Sequence, residues 1–146
     1  MKSRFKGIIF DMDGTLTLPS LDFESLRREI GIARGEDILK RLETMSAGKR
    51  ERTLEAIGRY EAEVRARTQV RPGAREALAK FRAAGAKLGI ITRNTPESVE
   101  DFLAKIGFDF DAIVTREFPA VKPSPEPALH ILRNWGMEPQ EALVVG

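Results

Sequence analysis

The chain has 146 residues, 42% of them hydrophobic, and carries 24 basic against 22 acidic side chains. That is enough for one modest core, or a core plus a small insertion, and it holds no Lys/Arg block of the kind that marks a nucleic-acid partner. With no cysteine, neither a disulfide framework nor a thiolate zinc site is possible; a reducing cytoplasm is compatible with that and is the expected location.

The opening "MKSRFKGIIF" is basic then apolar, but the apolar run is too short for a secretory signal. No stretch is long enough to span a membrane. Residues 6–11 form a short apolar run that predicts a buried strand. Residues 16–20, "LTLPS", read as a short extended piece closed by Pro19. From Leu21 the chain turns charged and helical, with Asp22 as a candidate N-cap and Leu26 and Ile30 on one face. "GIARG" interrupts this, and a second short helix carries Ile38, Leu39, Leu42 and Met45. "SAGK" interrupts again, and a longer helix is predicted from Arg50 to Arg67 with Leu54, Ile57 and Val64 on one side.

At Val70 the pattern changes once more. "RPGAREALAKFRAAG" puts Pro72 near a helix start and Gly85 just past its end. A second buried strand is predicted at 87–92 and a third at 111–115, with a helix between them capped by Thr95, begun by Pro96 and stopped by Gly107. A further helix, capped by Ser124 and ended by Gly136, leads to a fourth strand at 142–146. Strands alternating with helices of this length imply right-handed crossovers and a parallel sheet. Near-continuous apolar strands imply that helices cover both faces. The expected architecture is an α/β, Rossmann-like core, residues 1–20 and 69–146, with a helical cap insertion at 21–68.

Ligands of open α/β sheets bind at the carboxyl ends of the strands. Here those ends carry Asp11 to Gly14, Thr92 to Asn94, and Thr115 with its following loop. Residues two apart in extended chain point the same way, so Asp11 and Asp13 can address one site. Carboxylates held close together resist ionising together, which suits one to attack or bind metal and the other to donate a proton. Gly14 lets the backbone turn. An Asp-Gly pair flanked by alternating hydrophobics is equally a hairpin signal. The Thr92 hydroxyl and the amides of Arg93 and Asn94 lie where a helix begins, a setting that favours an anion; the same residue types also serve as helix caps. Lys122 sits in "VKPSPEP", between the third strand and a helix, where its charge would offset two aspartates and grip a phosphoryl oxygen; a solvated surface lysine is the plain alternative.

Together and in this order, "DMDGTLT", "IITRN" and "VKPSPEP" resemble the first three motifs of the haloacid dehalogenase (HAD) superfamily, in its phosphoglycolate phosphatase and β-phosphoglucomutase branch with a small helical cap. The resemblance implies a Mg2+-dependent phosphatase acting on a small phosphorylated metabolite. In it Asp11 is the nucleophile that forms an aspartyl-phosphate, and Asp13 the general acid and base. Thr92, Arg93, Asn94 and Lys122 hold the phosphoryl group. Asp11 and the carbonyl of Asp13 ligate the metal. Members that displace halide lack the second aspartate, so Asp13 argues for phosphoryl transfer. A sugar phosphomutase and a non-catalytic fragment or interaction module are the rival readings. The family's acidic fourth motif would follow Gly146, where the sequence stops. A truncated chain is therefore expected, missing a further strand and helix, with weak metal affinity, impaired activity and self-association through the uncovered strand 142–146.

Cap residues Arg27, Arg28, Arg34, Lys49 and Arg50 are read as a solvated face. Leu21, Phe23, Leu26, Ile38, Leu42 and Leu54 are read as cap interior or as contacts between cap and core. His130 is read as a structural or surface residue, Trp135 as a packing residue, and Met12 as a core residue pointing away from the site.

Overall fold

Strands β1 (Gly7–Phe10), β2 (Lys87–Ile91), β3 (Ala112–Val114) and β4 (Ala142–Val145) form one parallel sheet in the order β3-β2-β1-β4. The computed structural model describes residues 4–19 and 23–146. In the central strand Phe10 is in register with Ile90 on one side and Val145 on the other. The strands end earlier than the apolar runs predict. Asp11 and Thr92 lie just past the paired residues, and each gives one last N–H to its neighbour: Asp11 to Val145 O and Thr92 to Val114 O, both at 2.9 Å. Polar residues thus stand at the strand tips.

Helices α1 (Phe23–Ile30), α2 (Ile38–Glu43) and α3 (Ala47–Arg67) lie between β1 and β2 in sequence, with α4 (Ala74–Ala83) leading into β2. Helix α5 (Pro96–Ile106) connects β2 to β3, and α6 (Glu126–Trp135) connects β3 to β4. The strand residues alternate between faces, as a pleated strand requires. Ile8, Phe10, Leu88 and Ile90 pack with Leu78 of α4 and with Val99, Phe102 and Ile106 of α5. Ile9, Ile91 and Val114 pack with Ile131 and Leu132 of α6. The result is a sheet whose central strands are covered on both faces, the α/β architecture expected.

Trp135, the last residue of α6, shows why two glycines stand in the central strands. A Cβ on Gly7 would lie 2.8 Å from its Cζ3, and one on Gly89 3.1 Å from its Cη2. The indole lies flush on backbone where any side chain would stand.

Two local expectations are corrected. Helix α3 begins at Ala47, not Arg50; Arg50 N–H donates to Ser46 O at 2.8 Å, an ordinary helical bond that Gly48 does not break. Ser124 does not occupy the cap position of α6. Pro125, already near helical geometry (φ −75°, ψ −12°), holds it, and Ser124 Oγ accepts instead from Glu126 N–H at 3.3 Å. Thr95 caps α5 as predicted, accepting from Ser98 N–H at 3.2 Å.

The chain divides into two compact units, Met1–Pro19 with Thr68–Gly146, and Ser20–Arg67. In the second, Leu26, Ile30, Ile32 and Ala56 form a small core. Thr53, Ala56, Ile57, Tyr60 and Val64 make the covered stripe of α3 at helical spacing. Leu54 falls off that stripe and is 48% exposed, and Phe23 is 59% exposed against Tyr60, so neither lies in the unit's interior. Leu42 is buried and Ile38 half-buried. Leu21 and Asp22 lie outside the described residues. Among the described residues no helix is long and apolar enough to cross a membrane.

Candidate active site

The chain leaves β1 in extended conformation at Asp11 (φ −69°, ψ 151°) and again at Asp13 (φ −70°, ψ 122°), then turns at Gly14 (φ 76°). That left-handed value is where glycine is favoured. Met12 between the aspartates is buried. Gly14 N–H donates to Thr17 Oγ1 at 3.2 Å and Thr17 N–H to Met12 O at 3.1 Å, closing the turn. The Asp-Gly pair does not make a tight hairpin with the residues that follow. Thr17 instead pairs antiparallel with Val70, where the chain returns from the insertion. There Arg71 clamps the turn, its Nε donating to Thr15 O at 2.8 Å and its Nη2 to Gly14 O at 2.7 Å.

The two carboxylates have different surroundings. Asp11 Oδ1 accepts from Lys122 Nζ at 2.6 Å, with the side chains 28% and 36% exposed. Asp13, more exposed, faces the tip of β2: Asn94 Nδ2 is 3.3 Å from each of its oxygens and Thr92 Oγ1 donates to Oδ2 at 3.4 Å. Thr92 is buried, and its Oγ1 also accepts from Asn94 N–H at 3.0 Å. Arg93 is exposed, and its carbonyl accepts from Arg116 Nε at 3.1 Å. The structure therefore forms two contact groups at the strand tips, Lys122 with Asp11, and Asn94 and Thr92 with Asp13, joined by the backbone through Met12. It sets the Asn94 amide against Asp13.

The sheet order explains the place. From β1 the chain proceeds outward to β2 and β3, then crosses back for β4 on the other side of β1. Such a reversal opens a crevice at the carboxyl ends of the strands. Asp11 stands at that point, and a Cβ on Gly146, past the end of β4, would be 3.4 Å from Asp11 Cβ.

A hard cation such as Mg2+ takes oxygen ligands and readily keeps water. The Asp11 carboxylate and the Asp13 carbonyl are donors of that kind. Among the described residues no cluster of three or more Asp, Glu or His side chains offers a full protein shell. The donor set fits a cation that draws its remaining ligands from phosphate and solvent.

The family model for haloacid dehalogenase-like hydrolase matches residues 5–146. The chain belongs to this family. A haloacid dehalogenase-like hydrolase domain-containing protein of Arabidopsis thaliana is 34% identical over 156 residues, covering 99% of this chain, which spans 64% of that protein's length. A phosphoglycolate phosphatase of Nitrosococcus oceani is 25% identical over 166 residues, covering 95% of this chain and 74% of that one. A crystal structure of a predicted phosphoglycolate phosphatase from Haemophilus somnus superposes with a TM-score of 0.78 at 23% identity, covering 99% of this chain and 77% of that one, which shows the shared HAD fold.

Among the described residues His130 makes only local contacts. The His130 ring lies 5.0 Å from that of Phe118, and its Nε2 is 3.3 Å from Asn134 Nδ2. Two of the insertion's arginines bond within their own unit: Arg27 donates to Ala33 O at 2.8 Å, and Arg34 pairs with Glu24 at 3.4 Å. Two features escaped the sequence reading. Arg71 lies 57 residues from Gly14, with no local signal to link them. The use of Asn94 as a donor to Asp13 was hidden behind its commoner roles in turns and caps.

Proposed function

We propose that this HAD hydrolase cleaves a small phosphomonoester through a phosphoryl group carried on Asp11. The observation that carries the reading is the sorting of the two carboxylates, one on Lys122 at 2.6 Å and the other on Asn94 and Thr92. Lys122 engages Oδ1 of Asp11, and Oδ2 retains lone pairs for attack on phosphorus. As the new P–O bond forms, the bond to the leaving oxygen breaks and Asp13 gives that oxygen its proton. Asp13 then takes a proton from the water that attacks the aspartyl-phosphate, releasing inorganic phosphate and restoring Asp11. Lys122 and the Arg93 N–H would offset charge on the phosphoryl oxygens. Mg2+ held by Asp11 and the Asp13 carbonyl would supply further charge compensation between nucleophile and phosphate.

The phosphatase name of the Nitrosococcus relative supports the class of reaction. The test is phosphate release from a panel of small phosphomonoesters, with and without Mg2+, for wild type and Asp11→Asn. Turnover that requires Asp11 is the expected result. Turnover unchanged in Asp11→Asn would refute the reading.

A further inference from the structure

On the reading that Asp13 handles the proton, we infer that Asn94 is the positioning residue that aims its carboxylate. Asp13 lies beyond the sheet on an exposed turn. Among the described residues its side chain meets the Asn94 amide, 3.3 Å from each oxygen, and the Thr92 hydroxyl at 3.4 Å. An NH2 group set equally between two carboxylate oxygens opposes rotation of the carboxylate in a way that one off-centre contact does not.

The amide orientation follows from its neighbours. Asn94 Oδ1 accepts from Thr95 N–H at 2.8 Å. A flipped amide would set NH2 against that N–H and its oxygen against the carboxylate, two repulsive contacts in place of two attractive ones. The backbone is pinned as well: Asn94 N–H donates to Thr92 Oγ1 and Asn94 O accepts from Arg116 N–H, both at 3.0 Å. The tips of β2 and β3 thus hold the donor, and the tip of β1 supplies the acceptor. Its oxygen is thus engaged by Thr95 and one N–H of its nitrogen by Asp13.

Two substitutions separate this role from a turn-forming one. Asn94→Asp keeps an oxygen for Thr95 N–H but turns a second carboxylate toward Asp13; Asn94→Ala removes both groups. With an alkyl phosphomonoester, both variants are expected to lose on the order of 10²-fold in kcat, with KM nearly unchanged and Asp no better than Ala. With p-nitrophenyl phosphate, whose leaving group needs little protonation, the loss in kcat/KM, which reads the step that forms the phosphoenzyme, should shrink to about tenfold or less. A near-normal Asn94→Asp, equal losses in kcat/KM on both substrates, or a raised KM with kcat intact would each overturn the assignment. Asp11→Asn in the same assays tests the phosphatase reading separately. The contact has a readout free of turnover: the side-chain amide resonances of Asn94 in 15N-labelled protein should move in Asp13→Ala, and unmoved resonances would overturn it.

Discussion

Gly7→Ala puts the packing of Trp135 to a quantitative test. The added Cβ would lie 2.8 Å from Cζ3 and 3.0 Å from Cε3 of the indole and 3.0 Å from Met137 Sδ. Relaxed carbon contacts sit at about 3.5–4.0 Å, so the ring must retreat by several tenths of an ångström or more. It has little room, because its other edge already lies where a Gly89 side chain would be. Overpacking of this kind costs about 1–3 kcal/mol. Replacing glycine by alanine also restrains the unfolded chain, which returns about 0.4–1 kcal/mol. The net expectation is a loss of about 1–2 kcal/mol, or about 3–8 °C in Tm for a chain of this size. Urea unfolding followed by tryptophan emission is the assay, since Trp135 is the only tryptophan. It belongs to the unit that holds the sheet, so its signal reports that unit even if the helical insertion melts separately. In a Trp135→Leu background, followed by circular dichroism, the cost of Gly7→Ala should fall by more than half, the remaining contact being the flexible Met137 side chain. Additivity within about 0.5 kcal/mol would refute the argument.

Lys122→Met should leave the fold intact by circular dichroism and lower kcat by about 10²–10³-fold, the usual effect of losing a charge-stabilising donor. Arg71→Ala removes a charged donor from two carbonyls of the Asp13 turn; with water able to replace part of it, a loss of about 1–2 kcal/mol in urea unfolding is expected. Glu141 is held below its ordinary 4.5, first by the hydrogen bond from Lys6 and then by the Glu138 N–H. A lowered folded value means the contact stabilises above the unfolded value and its contribution disappears as pH falls through the folded one. Lys6→Met should therefore lower Tm at neutral pH, and the difference should close in acid. Finally, Leu143 and Val144 are 39% and 62% exposed on β4, a strand with one neighbour among the described residues. Concentration-dependent self-association in light scattering is expected, relieved by Val144→Lys.

The features legible in advance were those encoded by neighbours in sequence. Apolar runs ending in polar residues gave the strands and their tips. Thr95, Pro96 and Gly107 marked the bounds of α5, and Gly136 the end of α6, because capping depends on atoms a few residues apart. The three motif segments pointed to Asp11, Asp13, Thr92 and Lys122 as the groups to watch. Errors arose where local signals were weak. Gly48 looked like a break but sits near the first turn of α3, and Leu54 looked inward but lies one step off the covered stripe.

Other features depend on which segments meet. No spacing links Arg71 to the turn it clamps, or Trp135 to Gly7 and Gly89, since those contacts exist only once the insertion returns to the core and α6 docks on the sheet. The strand order, with β4 crossing back beside β1, likewise came only with the tertiary structure. Composition and short-range pattern determined that there would be an α/β sheet with carboxylates at its edge. Packing decided which of them would face a lysine and which an amide, because hydrogen-bond partners are chosen by proximity in space.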